Sequence, residues 1–231
     1  MTHEKKIVLD PRLSMIAEMV GRCASYADIG CDHGRLGAFL LQRDWVSRAV
    51  LMDISDPSLD KARALIRLLG LEERVHFCAC DGADGLSEAV DAVVIAGMGG
   101  TTAAQIVERG REKFGEARLI LQANVAIPEL RRRLNGAGYR IFDERIVRDG
   151  RRQYVVMEAS PGEQSCDLRE QIVGPVLLRK RPGDLADYAA FRLRVARKAL
   201  SGAEMGGDED EIRALGEEIG VWEDVQACLE P

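Results

Sequence analysis

Short apolar runs alternate with helix-like stretches through the first 160 residues of the chain. The runs fall at Ser25–Ile29, Ala49–Asp53, Val75–Ala79, Ala92–Ala96 and Arg118–Ala123. Several are continuously apolar rather than alternating, the pattern of strands covered on both faces in a parallel sheet. The stretches Leu36–Arg43, Pro57–Leu69, Thr101–Arg109 and Ile127–Asn135 read as helices. Such βαβ repetition predicts a doubly wound α/β sheet. Two further strands, Tyr139–Val147 and Gln153–Ala159, flank Arg148-Asp149-Gly150-Arg151, and Asp-Gly favours the positive φ of a hairpin turn. The parallel sheet is therefore expected to close with an antiparallel pair.

Beyond Ser160-Pro161-Gly162 the periodicity changes. Tyr188, Phe191, Val195 and Ala199 mark one face of a helix from Asp184 to Leu200, and Gly202 to Gly207 reads as a break. Ile212, Leu215, Ile219 and Trp222 mark a second helix from Asp208. Two apolar stripes joined by a short loop predict a small antiparallel helical hairpin. The expected division is a catalytic domain over 1–160 and a helical domain over 161–231.

Composition narrows the class. The chain is 46% hydrophobic and 30% charged, which suits a well-cored protein rather than a disordered one. No apolar run approaches the roughly 20 residues needed to span a bilayer. Met1 to Lys6 is polar and no signal-peptide core follows, so a cytoplasmic protein with no membrane partner is expected. Cys23, Cys31, Cys78, Cys80, Cys166 and Cys228 form no C-x-x-C pair, and His3, His33 and His76 add no ligand spacing. Cys78 and Cys80 alternate along a predicted strand and should point to opposite faces. Buried free thiols and no metal are expected. The net charge is −6, but Arg131 to Leu200 holds 16 Lys/Arg against 9 Asp/Glu, and Ser201 to Pro231 holds 10 acidic residues and one basic. Screening confines charge effects to about 8–10 Å at physiological salt, so one basic segment can still engage phosphates locally. A solvated helix face is the alternative.

The candidate chemistry begins where the first strand ends, at Asp28-Ile29-Gly30-Cys31-Asp32-His33-Gly34. Gly30 and Gly34 let the backbone turn tightly and approach a ligand that a Cβ would obstruct. Nicotinamide enzymes favour G-x-G-x-x-G, with a pyrophosphate on the helix N-terminus. Here the spacing is G-x-x-x-G and Asp32 lies inside it. That carboxylate would repel a pyrophosphate and attract the sulfonium and ammonium of S-adenosylmethionine. Asp53 ends the second strand, where an acid accepts hydrogen bonds from ribose hydroxyls. Asp56-Pro57 reads as N-cap and N1 of the next helix, which leaves Asp53 free for that role. Asp81-Gly82 follows the third strand as a candidate adenine contact or a plain turn.

The fourth strand runs Val93-Val94-Ile95-Ala96-Gly97-Met98-Gly99-Gly100-Thr101. Together with Asp28-Ile29-Gly30-Cys31-Asp32-His33 and Leu119-Ile120-Leu121-Gln122-Ala123-Asn124, it resembles the bacterial tRNA adenine-N1 methyltransferases that act on the adenine numbered 22. The similarity continues through Leu130-Arg131, Gly138-Tyr139-Arg140-Ile141, Asp143-Glu144, Gln153-Tyr154 and Gly174-Pro175. The chain departs from the family's Q-P-N at Gln122-Ala123-Asn124 and from its Ala-Tyr-Leu-Pro at Gly34-Arg35-Leu36-Gly37. The resemblance implies a Rossmann-like class I methyltransferase sheet with coiled-coil-like C-terminal helices that help grip tRNA. It places Asp28, Gly30, Cys31, Asp32, His33 and Gly34 in the cofactor loop and Asp53 near it. Asp81 and Gly82 would lie at the cofactor's adenine, and Ala96, Gly97, Met98 and Gly99 at the methyl-transfer face.

The N1 atom of adenine has an in-plane lone pair and needs only to be held in line with the methyl carbon. Asp32 is the first candidate to stabilise the cationic product, with His33 and Asn124 as positioning groups. Arg131, Arg132, Arg133, Arg151, Arg152, Arg179, Lys180 and Arg181 are the expected phosphate contacts. The expected state is a monomer. Two other readings fit the sequence: a methyltransferase acting on a small molecule or protein, and a non-catalytic RNA-binding protein with a degenerate cofactor site.

Overall fold

The apolar runs become strands because each can be covered on both faces. The computed structural model describes residues 6–229, so His3 lies outside the described residues. Strands β1 (Cys23–Ile29), β2 (Val46–Asp53), β3 (Val75–Ala79), β4 (Ala92–Met98), β5 (Arg118–Ala123), β6 (Tyr139–Asp149) and β7 (Arg152–Pro161) form one sheet. Its order is β3-β2-β1-β4-β5-β7-β6. The first five strands in that order run parallel, and β7 pairs antiparallel with both β5 and β6. The hairpin turns at Gly150, φ 59°, as its Asp-Gly pair requires. The strand order reverses between β1 and β4, and a crevice opens there at the carboxyl ends of the strands.

Helices α2 (Arg35–Gln42), α3 (Asp56–Leu68), α4 (Gly100–Phe114) and α5 (Ile127–Gly136) are the crossovers that the spacing predicts. Helix α1 (Pro11–Val20) was not expected. Asp10 caps it by accepting from the Leu13 amide at 2.8 Å, and Pro11 supplies the preset φ of the first turn. The cap of α3 also differs from expectation: Ser55 is the N-cap and Asp56 already lies in the helix.

The chain divides into two compact units, residues 1–165 and 166–231. The second unit contains two short helices, α6 (Leu168–Val173) and α7 (Pro175–Lys180), and the long pair α8 (Leu185–Gly206) and α9 (Glu209–Leu229). Helix α8 runs through Gly202 and stops only at Gly207, which has the left-handed conformation typical of a helix stop. The expected break is thus shorter than its glycines suggest, because packing against α9 outweighs the roughly 1 kcal/mol cost of one glycine. Trp222 is fully buried and meets Tyr188 edge-on at 5.6 Å, and Arg192 pairs with Glu218 at 2.6 Å. No described helix is long and apolar enough to cross a membrane.

Candidate functional site

The loop between β1 and α2 is built by three backbone reversals. Gly30, Asp32 and Gly34 all have positive φ, at 77°, 48° and 64°. Asp32 tolerates this region better than most side chains do, and Asp53 holds it there by accepting from its amide at 3.0 Å. At Gly34 a Cβ would stand 2.9 Å from the Cβ of Ala62, so only glycine lets α2 start this close to α3. Asp53 is not free, as its exclusion from the α3 cap had suggested. Its other oxygen accepts from the Ser55 amide at 2.9 Å, so this carboxylate joins the loop after β1 to the loop after β2.

Across the crevice, β4 is irregular. Its register with β5 shifts between Ala96 and Met98, and Gly97 turns out with φ 81°. Two side chains from the end of β5 hold that peptide. The buried Gln122 accepts from the Gly97 amide at 3.1 Å, and Asn124 donates to the Gly97 carbonyl at 2.8 Å. Gln122 also donates to Asn124 at 3.0 Å and accepts from the Arg12 guanidinium at 2.7 Å. One side-chain amide thus ties α1, β4 and the segment after β5 together.

These two loops enclose a cleft of about 280 Å³, lined by Asp28, Gly30, Cys31, Asp32 and His33 on one side and Ala96 and Gly97 on the other. Arg12 and Arg35 bring its positive charges. Asp28 is almost wholly out of water, and burial pushes its carboxyl up to about 7; the nearby Asp53 charge adds to this, while the Tyr26 hydroxyl and Arg12 act against it. Burial likewise raises the Cys31 thiol, then the charges of Asp28 and Asp53, so it is no nucleophile. His33 lies 3.2 Å from the Lys61 ammonium and 3.5 Å from Asp32.

Of the expected cofactor residues, Asp28, Gly30, Cys31, Ala96 and Gly97 meet at the cleft, with Asp32 and His33 beside them. Asp53 and Gly34 shape it from behind, and Gly99 caps α4. Met98 reaches Gly30 with its terminal methyl. Asp81 and Gly82 are not among the lining residues. Arg109 of α4 binds Asp81 and Asp84 at 2.8 Å each, which draws that turn toward the helix. Asn124 acts through Gly97 rather than in the cleft lining. Sequence reasoning missed Arg12 and Gln122. Gln122 stands in the motif Gln122-Ala123-Asn124, and its further signal is a polar residue in a strand that is otherwise buried.

The expected phosphate contacts separate. Arg131 is fully buried and pairs with the equally buried Glu144 at 2.8 Å, so it cannot meet RNA. Successive helical residues lie about 100° apart, and in a run of three one must face the core. Arg132 pairs with Glu129 at 2.6 Å, and Arg133 with Glu108. Arg151 and Arg152 at the hairpin tip and Arg179, Lys180 and Arg181 at the end of α7 are exposed. Cys78 and Cys80 do not point apart: β3 ends at Ala79, and a Cβ on Gly85 would collide with Cys78 and lie 3.1 Å from the Cys80 sulfur. Among the described residues no group of three His, Cys, Asp or Glu converges as a metal site.

A model of the methyltransferase domain matches residues 9–157. The chain is 30% identical over 184 residues to the tRNA (adenine(22)-N(1))-methyltransferase of Bacillus subtilis, covering 76% of this chain and 77% of that one. A Streptococcus pneumoniae protein solved in complex with S-adenosyl-L-methionine superposes with a TM-score of 0.79 at 26% identity, over 92% of this chain and all of its own. The B. subtilis M1A22 tRNA methyltransferase structure matches at 24% identity with a TM-score of 0.79, over 96% of this chain and all of its own, a likeness of fold.

Proposed function

We infer that this chain, which belongs to the tRNA (adenine(22)-N(1))-methyltransferase family of methyltransferase-domain proteins, transfers a methyl group from S-adenosylmethionine to N1 of an adenine in tRNA. The cleft carries the reading. It holds a buried carboxylate at Asp28, a second acid at Asp32 and a backbone left open at Gly97. A buried carboxylate raised to about 7 gains most from a cationic ligand, which fits a cofactor with a sulfonium and an ammonium. A phosphate-bearing nicotinamide cofactor would meet the same acids as like charge.

When bound, S-adenosylmethionine supplies an electrophilic methyl group on a positively charged sulfur. Asp28 and Asp32 would face its cationic groups, and Arg12 its carboxylate. Each Asp53 oxygen accepts one backbone amide and keeps a lone pair for a ribose hydroxyl. The acceptor nitrogen attacks through its lone pair without first losing a proton, so the chain has to orient the base more than to activate it. Asp32, exposed at the cleft, would stabilise the charge that develops on the adenine. The Gln122–Asn124 pair fixes the Gly97 peptide that forms the opposite wall. N1 takes part in Watson–Crick pairing, so the base must be unpaired or flipped into the cleft. The helical unit and its exposed Arg179, Lys180 and Arg181 would hold the body of the tRNA. The chain would act as a monomer in the cytoplasm, with chemistry that calls for no metal.

The test incubates the purified protein with labelled S-adenosylmethionine and unmodified tRNA, then digests the RNA to nucleosides. Label in 1-methyladenosine, lost in a folded Asp32→Ala variant, is the expected result. Cofactor binding without RNA labelling would move the acceptor to a small molecule or protein. No cofactor binding would leave an RNA-binding protein and overturn the reading.

A further inference from the structure

Beside the cofactor cleft lies a second groove of about 470 Å³ with a different character. Its floor is apolar: Ile7, Val8 and Leu65, with Val8 73% exposed. Its rim is cationic: Lys6, Arg35 and Lys61. Among the described residues no Asp or Glu lines it, although the chain as a whole carries a net charge of −6. His33 and Arg35 line both cavities, so the groove opens directly beside the cleft.

The local bonding keeps this surface in shape. Arg35 donates to the Val8 carbonyl at 2.6 Å, which holds the segment before α1 against the start of α2. The Lys61 ammonium lies 3.2 Å from the His33 ring. Among the described residues, none of Lys6, Arg35 and Lys61 is in an ion pair, whereas Arg109, Arg132 and Arg133 each engage a carboxylate. An apolar floor with Val8 exposed, beneath cations outside any ion pair among the described residues, is complementary to a nucleotide, which presents a flat apolar face and an anionic phosphate.

Resting on the reading of the cleft as a site for a tRNA adenine, we propose that this groove binds the nucleotide adjoining the target adenine. Its base lies on Ile7, Val8 and Leu65, and its phosphate is held by Lys6, Arg35 and Lys61. The groove thereby takes over, next to the reacting base, the task that Arg131 cannot perform from the core.

The test compares binding of an unmodified tRNA transcript, by fluorescence anisotropy across a salt series, to the wild-type chain and to Lys6→Ala/Lys61→Ala. Both lysines are on the surface, so the variant should fold. The expected result is several-fold weaker binding and a log–log salt slope reduced by up to roughly one, the share of a single phosphate contact. Lys6→Arg/Lys61→Arg should restore both, and S-adenosylmethionine affinity by calorimetry should not change. An unchanged tRNA affinity and slope in the alanine variant would overturn the groove assignment alone. A loss of cofactor affinity with tRNA binding intact would also overturn it, by assigning the cluster to the cofactor. A wild-type chain that binds no tRNA would overturn the functional reading, and this inference with it.

Discussion

Asp28 is ionisable in a place that disfavours its ion, and that makes it the residue with the sharpest pH signature. Its folded pKa of about 7 lies above the ordinary carboxylate value, so between about 4 and 7 the folded chain binds a proton that the unfolded chain has lost. Stability from this group is full below the unfolded value, declines as pH rises through about 7, and is constant above that. An Asp28→Asn chain without ligand should therefore melt with a flatter dependence on pH over that window, in thermal scans compared with wild type. Cofactor affinity should run the opposite way in the wild-type chain. A cationic ligand favours the carboxylate, so affinity should rise with pH by up to about tenfold per unit below 7, and the asparagine variant should lose the rise. Calorimetric titrations at several pH values measure it; equal slopes in both proteins would show that Asp28 does not face the positive charge.

At the scale of elements, two polar side chains set the geometry. Gln122, at the end of β5, satisfies Arg12, Gly97 and Asn124 at once. Replacing it by leucine of similar length takes the acceptor from the half-buried Arg12 guanidinium and from the Gly97 amide, at about 0.5–1.5 kcal/mol for each hydrogen bond. Turnover in Gln122→Leu should fall more than stability alone explains, with kcat measured below the melting range. Arg131 ties α5 to β6 through Glu144. Arg131→Ala strands a buried carboxylate and should cost about 3–5 kcal/mol in urea unfolding, with no change in the salt slope of tRNA binding. The same elements show how far the sequence could be read. β4 and β5 were legible because unbroken apolar runs of that length have few other uses. The G-x-x-x-G loop was legible because its chemistry is local. Helix α1 carried its signal in Asp10-Pro11, but its apolar spacing was too brief to separate from a loop. The six-residue helices α6 and α7 are too short for periodicity to register. Arg12 meets Gln122 across 110 positions of sequence, and no local pattern announces such a contact.

Over the whole molecule, an acidic protein must approach an acidic polymer, and it does so through a few exposed basic places. The triple change Arg179→Ala/Lys180→Ala/Arg181→Ala should weaken binding to all tRNAs alike and flatten the salt dependence, while leaving cofactor affinity intact. A loss confined to one tRNA would instead mean that these residues read sequence. The carboxylates around the cleft have a further consequence for the cycle as a whole. One turnover moves a positive charge from the cofactor's sulfur to the RNA base, and Asp28, whose ion burial disfavours, loses the cation that favoured it. The spent cofactor is therefore held less firmly than the fresh one, and the methylated, cationic base leaves an acidic site more slowly than a neutral base would. The acids that favour loading should therefore speed discharge of the used cofactor and slow RNA departure, which a comparison of burst and steady-state rates would read.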